Sequence, residues 1–200
     1  MFPLGSAVVP LQQLPLHVFE SRYRALVRHC LDGDGTFGIV LIERGSEVGG
    51  GDARFDVGCR VEIVHAEETP DGRWGLLVQG RRRLRVVAWL DDDPYPRAEV
   101  EDLDDGPWTA DAAIALERSI DAFRRILDLA TQLGGTVDRT VLELPGPVVD
   151  DQWRLIARAP IADLDRLAIL AADTPERRLD LLTDELEGVA TVLASRLGGG

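Results

Sequence analysis

The spacing of apolar residues changes its period near the middle of the chain. In the first half it is mostly two. Leu14, Leu16 and Val18 alternate with their neighbours, as in a strand with one buried face. Pro15 among them fits a strand start or an edge better than a strand centre. The step then lengthens, and Tyr23, Leu26, Val27 and Cys30 share one face of a helix over about residues 20–31. Gly35 to Glu43, GTFGIVLIE, reads as an apolar strand, and Arg44 to Phe55 as a glycine-rich loop. A strand starts in VGCRVEIV, and Asp71-Gly72 is a turn signal between two strand-like runs, which predicts a hairpin. Gly80 separates the second run from a third, as a bulge or another turn, with a further strand over Leu84 to Leu90. Tyr95 to Glu101 is the last predicted strand.

In the second half the period is helical. Leu116, Ile120, Phe123 and Leu127 mark one face of a helix over roughly Thr109 to Leu133, which LGGT ends. Three more helices follow. The first spans about Val149 to Arg158, Pro160 breaks the chain, and the second spans about Ile161 to Ala171. Thr174 then serves as N-cap with Pro175 as first helical residue. Leu179, Leu182, Leu186, Val189 and Leu193 form the stripe of that last helix, which can pack on the Thr109–Leu133 helix or on a symmetry mate, packing within the bundle being the better reading, and the terminal GGG is expected to fray. The expected plan is a strand-rich part over residues 1–105 and a helical part over 106–200, joined near Asp102 to Pro107.

Composition narrows the chemistry. The net charge of -13 opposes nucleic acid unless a local basic patch overcomes it, and RRRLR, Arg81 to Arg85, is the candidate. That run reads better as the wet face and entry of a strand. All 22 basic residues are arginine, which excludes a Walker A phosphate loop, Schiff-base chemistry and a Ser-Lys dyad within this chain. Cys30 and Cys59 lack metal-ligand spacing and read as reduced, structural thiols. His17, His29 and His65 show no ligand spacing either, so neither a metal nor a cofactor is expected. No apolar run suffices for a membrane span and no secretory leader pattern opens the chain, so the expected location is cytoplasmic.

Glu20 and Arg24 are spaced for a helix-surface ion pair, and nothing around them makes a catalytic site. The order of motifs carries more. FPLGSAVVPLQQLPLHVFESRYRALV, then FGIVLI, then VGCRVEIVHAEETPDGRWGLLVQGRRRLRV resembles the N-terminal domain of the ATP-dependent Lon proteases over essentially the whole chain. Lon-like sequences commonly carry Pro-Gly after the first strand, whereas Pro10 is followed here by Leu11. The resemblance implies an α+β fold, a PUA-like pseudo-barrel of short, mainly antiparallel strands followed by a C-terminal helical bundle, together one Lon N-terminal-like unit. It implies a non-catalytic module that binds peptides or unfolded protein segments, as an adaptor to a separate protease or a recogniser of clients. Homodimerisation is compatible with it. Arginine and aromatic residues suit such a surface, and Phe19, Arg22, Tyr23, Trp74 and Trp89 are the candidates, expected near the junction of barrel and helices. RNA binding, through Arg81 to Arg85 on a PUA-like fold, and an uncharacterised hydrolase are the alternatives.

Overall fold

A computed structural model describes residues 1–45, 51 and 53–198. Half of the predicted glycine-rich loop, residues 46–50 and 52, and the last two residues of the terminal glycine run lie outside them, while the loop's last three predicted residues, Ala53 to Phe55, begin a strand. The chain divides into two compact units, Met1–Asp104 and Asp105–Gly200.

The first unit holds a six-stranded mixed sheet: β1 (Phe2–Leu4), β2 (Gln13–Val18), β3 (Thr36–Arg44), β4 (Ala53–Glu68), β5 (Trp74–Leu90) and β6 (Arg97–Asp102). One helix, α1 (Ser21–Asp32), follows β2. The strand order is β1-β3-β4-β5-β2, with β6 also on β5. All pairings are antiparallel except β1 with β3. The fold is α+β as expected, and the sheet is an open path with β1 and β2 at its ends rather than a closed barrel.

The predicted hairpin at Asp71-Gly72 joins the two longest strands, and Gly72 takes a φ of 78°. Gly80 does not end a strand. β5 runs unbroken for 17 residues, and the register with β4 slips between Arg60↔Arg82 and Val61↔Gly80. The irregularity is thus a bulge at Arg81, and the separate strand expected over Leu84 to Leu90 is the second half of β5. This arrangement lets β2 cover the first half of β5 and β6 the second.

β2 alternates as its sequence implies. Gln13, Pro15 and His17 are exposed, while Leu14, Leu16 and Val18 turn toward a core of Phe2, Tyr23, Leu26, Val27, Ile39, Val61 and Val78. The buried face of α1 comprises Tyr23, Leu26, Val27 and Cys30, the stripe read from the sequence. Cys30 donates to the Thr36 carbonyl at 3.3 Å, and burial pushes its thiol up to about 11. Cys59 is fully buried. At pH 8 the folded protein should therefore consume almost no thiol reagent on the timescale on which a free cysteine reacts, and two thiols after denaturation in urea. A fast, stoichiometric reaction of the native protein with a chromogenic disulfide would overturn this assignment.

The second unit contains α2 (Ala110–Gln132), a 3-10 turn at Arg139–Leu142, α3 (Val148–Arg158), α4 (Asp163–Ala171) and α5 (Pro175–Gly198). The Thr109 hydroxyl accepts from the Ala112 amide at 3.1 Å and starts α2, and Thr174 accepts from the Arg177 amide at 3.2 Å. Gly134, at φ 82°, lets the chain leave α2. α2 and α5 pack together, with Ser119 bonded to the Leu179 carbonyl at 3.1 Å and to the Thr183 hydroxyl at 2.9 Å.

α3 and α4 end without a glycine, at Ala159 and Ala172, and arginines from the following helices satisfy their last carbonyls. Arg166 donates to the carbonyls of Ile156 at 2.7 Å and Ala159 at 3.1 Å. Arg178 does the same for Ala172 at 2.9 Å and Asp173 at 3.4 Å.

Candidate functional site

The site begins with the end of the sheet at β2. The Gly80 amide donates to the Gln12 carbonyl at 2.8 Å, so Gln12 opposes Gly80 at a hydrogen-bonded position of the ladder. Alternation then places Leu14, Leu16 and Val18 at bonded positions and turns the backbone groups of Gln13, Pro15 and His17 to the outer edge. Pro15 therefore sacrifices no bond to β5, which is why a proline is tolerated inside this strand. Leu11, at φ 64°, makes the turn that brings the chain into β2. As a residue with a Cβ, it holds this left-handed conformation at a steric cost of about 1–2 kcal/mol.

Between β1 and β2 lies a cavity of about 150 Å³. Phe2 and Leu4 of β1, Pro15 to Val18 of β2, and Tyr23 of α1 line it, with Phe19 and Glu20 at the corner between β2 and α1. Phe2 stacks on Tyr23 with ring centroids 4.2 Å apart. The Arg22 guanidinium lies 4.4 Å from the centre of the Tyr23 ring, and its Nε donates to Glu20 Oε2 at 3.1 Å. Phe19 is 48% exposed and stands 6.4 Å from the His17 ring. The chemistry offered is a mainly apolar pocket with His17 and Glu20 at its rim, one exposed aromatic, a bordering ion pair, and strand-edge amides and carbonyls at Gln13 and His17.

The five sequence candidates are thus placed differently. Phe19, Arg22 and Tyr23 come together, with Tyr23 as a buried wall at 3% exposure. Trp74 faces Val18 across the ladder and packs partly buried against the same core; its indole N–H is buried and has no acceptor among the described residues. Trp89 lies elsewhere, against Val40, Leu84 and Val86, with the Arg54 guanidinium 4.6 Å from its ring. Sequence reasoning missed Phe2, Leu4 and Leu16 as pocket residues. The F-P-L opening of the motif was the available signal, but a three-residue parallel strand has no local periodicity to reveal which strand it joins.

One other expectation is corrected. Glu20 pairs with Arg22 rather than Arg24, which instead donates to the Gly72 carbonyl at 3.3 Å. The reason is local: Glu20 is extended, with φ −66° and ψ 138°, and lies outside the helix, so helical spacing does not apply to it. The basic run Arg81 to Arg85 lies within β5, in keeping with its reading as part of a strand, and three of its arginines have acidic or carbonyl partners. Arg81 pairs with Glu62 at 2.6 Å, Arg82 lies 3.8 Å from Asp102, and Arg83 is buried and donates to the Asp104 carbonyl.

Among the described residues, no group of three or more His, Cys, Asp or Glu is placed to hold a metal ion. No described helix is long and apolar enough to cross a membrane.

Comparison with known proteins follows the same lines. A LON peptidase N-terminal domain and RING finger protein of Schizosaccharomyces pombe is 24% identical over 215 residues, covering 90% of this chain and 43% of that protein. A Lon protease of Dictyoglomus thermophilum is 32% identical over 102 residues, covering 50% of this chain and 13% of that protein. The chain thus spans less than half the length of these curated relatives. The crystal structure of a Lon N-terminal domain protein from Xanthomonas campestris superposes with a TM-score of 0.61 at 28% identity, over 90% of this chain and 94% of that one. The N-terminal domain of a Mycobacterium avium complex Lon protease superposes with a TM-score of 0.63 at 15% identity, over 92% and 96%, a likeness of fold. The profile of the ATP-dependent protease La (LON) substrate-binding domain matches residues 1–188, and this chain belongs to that family.

Proposed function

We propose that the chain recognises short, extended segments of unfolded proteins, holding one apolar side chain between β1 and β2, and presents them to a separate protease. The observation that carries this reading is the apolar cavity beside the free edge of β2, with Phe19 exposed at its corner. Its volume, about 150 Å³, is of the order that accepts a benzene ring in an apolar protein cavity. One aromatic or branched side chain fits such a space. The outward amides and carbonyls of Gln13 and His17 suit the backbone of an extended segment. Pro15 offers no N–H between them, so the edge holds a short stretch and does not template a long strand. Membership of a substrate-binding family supports the same class of ligand. Delivery to a protease in trans is the part of the proposal that rests on the relatives named Lon protease, of which this chain matches one portion.

The test is a binding titration of labelled β-casein, a polypeptide without a stable fold, read by fluorescence anisotropy. Phe19→Asp changes a residue that is 48% exposed, so folding should be unaffected while affinity falls at least ~10-fold. Ile114→Asp changes a residue 60% exposed in the other unit and should bind as the parent does. No binding by the parent protein, or equal binding by Phe19→Asp, would remove the pocket from the proposal.

A further inference from the structure

The last three turns of α5 carry a second apolar groove, about 400 Å³, lined by Glu185, Gly188, Val189, Val192, Leu193 and Arg196. These positions recur at three- and four-residue steps, so they lie along one face of the helix. Val192 is 53% exposed. The face is symmetric about the point between Ala190 and Thr191: Glu185 and Arg196 lie equally far from it, as do Gly188 and Leu193, and Val189 and Val192. Each of these pairs is complementary, an acid with a base, a gap with a bulky side chain, and valine with valine.

We propose that the occupant of this groove is a second copy of the chain, its α5 lying antiparallel across a two-fold axis. Glu185 then faces the partner's Arg196, Gly188 receives the partner's Leu193, and Val189 meets the partner's Val192. Each contact occurs twice, as an isologous interface requires. The absence of a side chain at Gly188 gives the facing leucine room, because a Cβ there would meet nothing within 4 Å.

The charges of a single copy support this occupant. Arg196 has no ion pair or hydrogen-bond partner among the described residues. Glu185 stands beside Asp165 and Asp184; burial first, then those two carboxylates, hold its carboxyl above the usual range. A cation brought by the partner relieves this crowding of acids, and a neutral or acidic helix would not. The seam is about 16 Å long. A single helix seam of that length buries much less than the roughly 1,600 Å² of a standard stable interface, so the dimer is weak and depends on concentration.

Sedimentation velocity of the full chain, from about 1 µM to about 1 mM, reads the association directly. The parent should pass from monomer to dimer across this range. Glu185→Arg and Arg196→Glu each place like charges face to face and should weaken self-association at least ~10-fold. Mixed in equal amounts, the two variants should associate, because every 185–196 contact between them is again of opposite sign. This recovery also shows that both variants are folded. Three outcomes would overturn the proposal: a parent monomeric throughout, a dimer indifferent to both substitutions, or a mixture no more associated than its components. None of them bears on the pocket between β1 and β2.

Discussion

Replacing Arg178 by methionine should lower the unfolding free energy of the helical unit by about 3–5 kcal/mol and its melting temperature by more than about 10 °C. The size follows from what this side chain joins. Arg178 is fully buried, and its Nε donates to Gln152 Oε1 of α3 at 2.9 Å. Its terminal nitrogens donate to the carbonyl of Asp105, where the unit begins, and to those of Ala172 and Asp173 at the end of α4. The guanidinium also lies 5.0 Å from the centre of the Trp153 ring, whose Nε1 donates to Asp105 Oδ2 at 3.2 Å. Methionine fills much of the volume and leaves these acceptors buried without their donor, at about 1–3 kcal/mol for each that water cannot reach. Arg178→Lys keeps the charge but not the planar fork, so it should recover only part of the loss. Urea and calorimetric unfolding of the three proteins decide the matter. A loss below about 1 kcal/mol for the methionine variant would mean that the network contributes little beyond packing.

Gly80→Ala should be as damaging in the first unit, for a steric reason. A Cβ at residue 80 would lie 2.1 Å from the Val9 carbonyl oxygen and 3.2 Å from Cys59 Sγ. Neither obstacle is the free end of a flexible side chain. The same glycine accepts from the Leu11 amide at 2.9 Å and donates to the Gln12 carbonyl at 2.8 Å, and these bonds set where β2 begins. The strand must therefore move away or its register must slip, and a slip of one residue would turn Leu14, Leu16 and Val18 outward. We expect a loss of about 2–4 kcal/mol, within the large class caused by core overpacking and backbone strain. Binding of unfolded polypeptide should weaken even where the protein remains folded, since β2 supplies one wall of the pocket. Unchanged stability together with unchanged binding would show that the 9–12 segment yields freely.

How much of this was legible in the sequence depended on whether the cause was local. The face of α1, the Thr174-Pro175 start of α5 and the Asp71-Gly72 hairpin rest on short-range periodicity or turn chemistry, and the structure places all three as read. Gly80 was read as an interruption because glycine has no strand preference. Its cause is non-local: the backbone at Val9, seventy residues earlier, approaches too closely for any side chain. Arg178 was invisible for the same reason, since arginine on a helix normally reads as a wet residue and only the fold brings four acceptors and a ring around it. The pocket was half legible. Phe19, Arg22 and Tyr23 lie within one motif, whereas Phe2 and Leu4 reach them only because β1 pairs with β3 in parallel. Trp89 shows the limit of choosing site residues by type, for it is an aromatic beside an arginine in a different cluster.

The two walls of the pocket are built on very different foundations. β2 rests along all six of its residues on β5, itself bound to β4 down most of its length. β1 is a three-residue strand on β3, secured further by the Phe2–Tyr23 stack. One wall has twice as many paired strand residues behind it as the other. The longer pairing belongs to the wall that also carries the outward hydrogen-bonding edge of the sheet. If the pocket binds as proposed, selection rests on backbone extension more than on the shape of one side chain, which suits clients that share a state and not a sequence.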